Sequence, residues 1–147
     1  MKNVRTWFEE KSVFLCKFLR SPKQIGSITP SSRELAMAML EPIQWHNTYA
    51  IAELGAGTGA VTKYILNAAS SGTKVILFEK DSYLRDKLSV RFPDYSCYAD
   101  CLWLEDALDK EGMKRLDCII SGLPFFNFDQ EVRDRLIQQI VASLKDE

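Results

Sequence analysis

The sequence predicts an α/β domain in which a parallel sheet is covered by helices on both faces. Three observations carry that prediction. From residue 49 onward, apolar runs of strand length alternate with segments of helical periodicity. A glycine-rich turn, Gly55 to Gly59, joins the first run to the first of these helices. No internal repeat or low-complexity tract breaks the alternation. A length of 147 residues fits one such domain, because two would each lie near the lower limit for a packed core.

The first segment, Val4 to Leu19, has helical periodicity. Val4, Trp7, Phe8, Phe14, Leu15, Phe18 and Leu19 fall on one side, interrupted by Lys11. The other side carries Lys2, Arg5, Glu9, Lys17 and Arg20, and Ser21-Pro22 stops the helix. Residues 1–23 hold six basic and two acidic side chains, a net +4 in a chain whose total is −1. That asymmetry predicts attraction to an anionic surface such as a membrane; a solvated helix face is the plain alternative. A polar loop follows, and Ser31 or Ser32 caps a helix from Arg33 to Leu40 that Pro42 ends.

Tyr49 to Leu54 reads as the first strand and Val61 to Ala69 as a helix. Lys74 to Glu79 is a second, strongly apolar strand, and Tyr83 to Phe92 a helix ended by Pro93. Tyr95 to Ala99 is a weaker third strand, with Trp103 to Ala107 in a loop or short helix. Leu116 to Ser121 is the fourth strand. Val132, Leu136, Ile140 and Leu144 are spaced by four, which predicts a terminal helix. Apolar strands alternating with helices imply parallel pairing, since both faces must be buried.

Composition excludes several classes. Hydrophobic residues at 46% and charged residues at 27% exclude a disordered chain. No apolar run reaches the roughly 18 residues of a membrane span, and the N-terminus lacks the apolar centre of a signal peptide. A cytoplasmic location, peripheral at the inner membrane face, is therefore expected, with no DNA partner. The 4 cysteines form no Cys-x-x-Cys pair and the chain has 1 histidine, so no metal site is expected.

The chemistry concentrates at strand ends. Glycines between a strand and a helix permit positive φ and close backbone approach to a ligand. In open α/β sheets that ligand lies beyond the carboxyl ends of the strands. Glu79 ends the second strand, about 20 positions after the glycines, where a carboxylate suits a ribose diol. Asp100 follows the third strand and suits an exocyclic adenine amine. A nucleoside-shaped ligand is the common denominator; a tight turn with no ligand is the plain alternative. Gly55-x-Gly57-x-x-Ala60 also fits a nicotinamide dinucleotide. Glu53, an acid beside the turn, and the third glycine, Gly59, favour S-adenosylmethionine instead.

These residues resemble a known family. Glu53-Leu54-Gly55-Ala56-Gly57-Thr58-Gly59 is similar to motif I of the class I S-adenosylmethionine-dependent methyltransferases. Glu79 resembles their ribose-binding acid and Asp100 their adenine-side acid. The resemblance covers residues 24 to 144. It implies a Rossmann-like sheet and a cofactor set of Glu53, Gly55, Ala56, Gly57, Thr58, Gly59, Glu79, Lys80, Asp100, Cys101 and Ser121.

Ser121-Gly122-Leu123-Pro124-Phe125-Phe126-Asn127-Phe128 leaves the fourth strand, which in this fold abuts the transferred methyl. It resembles the corresponding string of bacterial phospholipid N-methyltransferases. So does Gly26-Ser27-Ile28-Thr29-Pro30-Ser31-Ser32 followed by Leu35-Ala36, which in such enzymes lies over the cofactor and adds Ile28, Pro30 and Ser31 to the set. The resemblance implies methyl transfer to an amine, the phosphatidylethanolamine headgroup first. Ser121, Gly122, Leu123, Pro124 and Phe125 stand at the reacting centre. Carbonyls there would orient the amine, and Tyr98, Phe125 or Phe126 would face its charge. Core packing is the plain alternative for the phenylalanines. Ribosomal RNA adenine dimethyltransferases carry Asn-Leu-Pro-Tyr in the same place, but glycine replaces that asparagine here. An rRNA methyltransferase and a non-catalytic cofactor- or lipid-binding fragment remain the alternatives. The family sheet continues for three further strands after the fourth, so a bare fourth-strand edge, open to a second copy in a homodimer, is expected.

Overall fold

Among the described residues, five strands form a single parallel sheet. The computed structural model describes residues 13–15, 33–123 and 125–146. In chain order these hold β1 (Val13–Leu15), α1 (Arg33–Leu40), β2 (Ala50–Leu54), α2 (Thr62–Ala68), β3 (Lys74–Phe78) and α3 (Ser82–Arg91). β4 (Ser96–Tyr98), α4 (Leu104–Lys110), β5 (Cys118–Ser121) and α5 (Gln130–Ser143) follow. The strand order is β1-β5-β2-β3-β4. β2 is central and buried along its whole length, including Glu53, the acid within its otherwise apolar run.

Alternation along the strands divides the core in two. Ala50, Ala52 and Leu54 face α4 and α5, packing with Leu104, Leu108, Leu136 and Ile140. Ile51 faces the other way with Val75 and Leu77, against Met39 of α1, Ile65 of α2 and Leu88 of α3. Glu53 shares the parity of Ile51, so its side chain is committed to the α1–α2–α3 face. The spacing of four in α5 places Leu136 and Ile140 in the core, and Leu144, just past the helix end, joins them. Among the described residues no helix is long and apolar enough to cross a membrane.

The N-terminal expectation is corrected in part. Val13–Leu15, assigned above to a basic amphipathic helix over residues 1–23, is a strand that pairs in parallel with Ile119–Ser121 of β5. The rest of that helix, and the capping serines Ser31 and Ser32, lie outside the described residues. The bare fourth-strand edge is corrected with it. That strand is β5, and its outer edge is covered by β1 rather than left for a second copy. The physical reason is the pairing demand of that edge. An edge strand exposes unpaired N–H and C=O groups, and a Val-Phe-Leu run of high β propensity satisfies them within the chain. At the same edge Leu144 makes a parallel bridge to Leu116, and Leu116 N–H donates to the Ser143 carbonyl at 2.7 Å.

Gly59 shows why the turn between β2 and α2 is glycine-rich. Its φ is +85°, and a Cβ there would sit 2.7 Å from Cε2 of the buried Phe92. Gly59→Ala is expected to cost about 2–3 kcal/mol of stability, from the left-handed backbone and the crowded ring together. Urea unfolding at constant m-value checks this, and an unchanged midpoint would reject the packing account.

Candidate active site

The turn at the carboxyl end of β2 lines a cavity of about 240 Å³. Glu53, Gly55, Ala56, Gly57 and Thr58 contribute from the expected set, and Gly122 closes the β5 side. Met39, Ala60, Val61, Leu84 and Ile120 also line it and were not anticipated. Their signal was weak: Met39, Leu84 and Ile120 are apolar residues on helix or strand faces that read as core, and Ala60 and Val61 lie between the glycines and α2. Only their position at the sheet's carboxyl edge makes them walls.

The three turn glycines differ in what requires them. Gly55 (φ +76°) passes under Leu123, whose Cδ2 would lie 2.8 Å from an added Cβ. Gly59 passes under Phe92, as described. Gly57 (φ +58°) meets no protein atom within 4 Å of an added Cβ. Internal packing therefore does not explain Gly57, whose bare face looks into open space at the cavity wall. That is the cradle a closely approaching ligand needs.

Two carboxylates serve this turn in different ways. Glu79, immediately after β3, accepts from Gly57 N–H at 2.8 Å and from Asp81 N–H at 3.1 Å. One donor holds each oxygen, leaving acceptor capacity on both for hydroxyl groups. Glu53 is 3% exposed and accepts from the Thr62 hydroxyl at 2.5 Å. Burial pushes its carboxyl up to about 8, opposed by the Thr62 hydrogen bond and assisted by the negative charge of Glu79. Burial thus favours the neutral form of Glu53, a preference its residue type alone does not reveal.

The remaining expected residues take varied places. Asp100 is exposed and caps the turn Cys101–Trp103 by accepting from Leu102 N–H at 2.9 Å. Lys80 is exposed, and neither it, Asp100 nor Cys101 lines the cavity. Cys101 is half-buried, and burial pushes its thiol up to about 11, so it acts as a neutral packing group. Ser121 is buried and its hydroxyl accepts from Leu123 N–H at 3.2 Å, while Gly122 N–H donates to the Leu54 carbonyl at 2.9 Å. The β5 exit is therefore pinned to the strand that carries the glycine turn.

Two expectations on aromatic residues are corrected. Phe125 packs into the core under α4 and α5 rather than facing the cavity. Tyr98 donates its hydroxyl to Glu111 at 2.5 Å, so its polar end is committed to the far end of α4. Ile28, Pro30, Ser31 and Pro124 lie outside the described residues.

No protein-family model matches the chain. It is 34% identical over 137 residues to an ornithine lipid N-methyltransferase of Singulisphaera acidiphila, covering 88% of this chain and 71% of that protein. The plantazolicin methyltransferase BamL, solved with S-adenosylhomocysteine, superposes with a TM-score of 0.63 at 16% identity, over 97% of this chain and 51% of that one. A TehB-like methyltransferase from Corynebacterium glutamicum gives 0.55 at 20% identity, over 74% and 56%. The chain thus spans about half the length of these two solved structures, which share its fold. A strand-ended glycine turn, a carboxylate that accepts from its Gly57 N–H, and one third identity over most of both chains agree: the chain belongs to the class I S-adenosylmethionine-dependent methyltransferases, and its cofactor is S-adenosylmethionine.

Proposed function

We propose that this chain transfers a methyl group from S-adenosylmethionine to the amine of a lipid headgroup. The relative's name specifies ornithine lipid, whereas the sequence reading specified phosphatidylethanolamine. Both carry a primary amine on a lipid, and that shared group is the proposed acceptor. The observation that carries the proposal is Gly122, which lines the cavity at the β5 exit with no side chain. An aliphatic amine needs only carbonyl acceptors there. An adenine base needs the amide that rRNA enzymes supply and this chain lacks.

In this reading Glu53, Gly55, Ala56, Gly57, Thr58, Gly59 and Glu79 hold the cofactor from the β2 and β3 sides, with Lys80, Asp100 and Cys101 toward its adenine end. The family resemblance would add Ile28, Pro30 and Ser31, which lie outside the described residues. Bound S-adenosylmethionine supplies a methyl already activated on a sulfonium. The carbonyls of Ser121 to Pro124 accept the amine N–H bonds and aim its lone pair, for which in-line approach at about 3–3.5 Å is needed. Leu84, Ile120 and Met39 keep water from the wall facing that pair. An ammonium must lose its proton before attack, and release to solvent suffices. The basic segment 1–23 would bring this site to an anionic lipid surface.

Methyl-labelled S-adenosylmethionine tests the reading. Vesicles containing ornithine lipid, phosphatidylethanolamine or phosphatidylglycerol alone are compared with ribosomal RNA. Label is expected in one or both aminolipids and in nothing else. Label in RNA would favour the adenine reading. No label, from protein that binds S-adenosylhomocysteine, would favour a non-catalytic binding domain.

A further inference from the structure

We propose that Arg85 and Arg91 of α3 are positioning residues for the cofactor crevice, acting through backbone carbonyls of the two loops that form it. This rests on the cofactor reading above and goes beyond it, since neither guanidinium lines the cavity. Arg85 Nη1 donates to the Glu79 carbonyl at 2.9 Å and to the Lys80 carbonyl at 2.8 Å. Arg91 Nη1 donates to the Thr58 carbonyl at 3.2 Å, with its guanidinium 5.2 Å from the centre of the Phe92 ring.

These three carbonyls lie where the β ladder has ended. The last register pair between β3 and β4 is Phe78 with Tyr98, and Glu79 N–H donates to the Tyr98 carbonyl. Beyond that point no strand orients the peptides. Rotation of the Glu79–Lys80 peptide would swing the Glu79 carboxylate off Gly57. Arg85 fixes the backbone from which that carboxylate projects, and Gly57 N–H fixes where it lands. Arg91 fixes the crest of the turn that carries Gly57, while Phe92 supports the turn at Gly59. Asp81 completes the link, because its N–H holds Glu79 and its carboxylate caps α3 by accepting from Leu84 N–H. One helix thereby sets the separation between the ribose acid and the glycine turn. Charged donors to carbonyls make these contacts stronger than neutral hydrogen bonds.

The test uses Arg85→Ala, Arg85→Lys, Arg91→Ala and the control Lys87→Ala, whose side chain lies over the Tyr83 ring on the same helix. S-adenosylhomocysteine affinity is measured by calorimetry, and KM for S-adenosylmethionine and kcat by methyl transfer. Arg85→Ala is expected to weaken S-adenosylhomocysteine by about tenfold and Arg91→Ala by about threefold. KM should rise in parallel while kcat at saturating cofactor stays unchanged. Arg85→Lys recovers part of the loss, and Lys87→Ala binds as the wild type does. A fold-supporting role alone would lower the unfolding midpoint and leave affinity and KM of the folded protein unchanged; that result overturns the proposal. So does a fall in kcat at constant KM. Failure of the wild type itself to bind S-adenosylhomocysteine would instead overturn the cofactor reading, and this proposal with it.

Discussion

Gly57→Leu is expected to reduce S-adenosylhomocysteine affinity by about 100-fold or more while the protein stays folded. The two halves of that expectation come from one observation. A Cβ at Gly57 meets no protein atom within 4 Å, so a side chain enters open space at the cavity wall and displaces no core residue. The left-handed backbone (φ +58°) makes a leucine there cost about 1–2 kcal/mol, which a domain of ordinary stability tolerates. The ligand loses more, because the new side chain occupies the place where bare backbone must approach it. Gly57 N–H also holds the Glu79 carboxylate, so any shift of the turn displaces that carboxylate as well. Calorimetric titration alongside urea unfolding separates the two effects. Wild-type affinity in a folded Gly57→Leu protein would reject the turn as the cofactor site.

Glu53 carries the second large effect, through pH. Burial raises its carboxyl from the ordinary 4.5 to about 8, so between those values the folded chain holds a proton that the unfolded chain releases. Stability contributed by the neutral carboxyl is fully present below 4.5 and is lost as pH rises through 8. The slope is about 1.4 kcal/mol per pH unit for one proton, hence on the order of 5 kcal/mol across the window. Unfolding free energy measured from pH 5 to 9 should therefore fall for the wild type, and Glu53→Gln should flatten that fall. A cationic group brought against Glu53 reverses its preference. Binding of S-adenosylmethionine near pH 6.5 should then release close to one proton, read as a dependence of the binding enthalpy on the buffer's heat of ionisation. Equal slopes in wild type and variant, with no buffer dependence, would remove Glu53 from both roles.

These two residues also mark how far the sequence could be read. Gly55, Gly57 and Gly59 were recognisable as one motif, because a strand-to-helix glycine turn has few other uses. That Gly55 passes under Leu123 and Gly59 under Phe92, while Gly57 meets no protein atom, is not legible there, since the contacts join residues far apart in sequence. Glu79 stands out by its distance from the turn and its place at a strand end, and its carboxylate accepts from Gly57 N–H. Asp100 lies at the expected strand end but caps its own turn, a local hydrogen bond that its position also permits. Phe125 and Tyr98 share one ambiguity. An aromatic side chain near a site reads the same whether it faces the ligand or the core, and only packing on α4 and α5 decides.

The N-terminal segment failed differently. Val13–Leu15 fits a helical stripe by spacing and a strand by composition. The choice was made by an unpaired edge on β5, more than 100 residues away along the chain.

By itself the sequence determined the alternating α/β architecture, the glycine turn at its carboxyl edge and the acid that faces it, because each follows from short-range periodicity or from a local backbone demand. Only the tertiary structure decided which edge β1 covers, that Glu53 is buried and neutral, and that α3 clasps both loops through Arg85 and Arg91. Those outcomes depend on burial and on partners brought together by the sheet, and neither is encoded in the spacing of neighbouring residues.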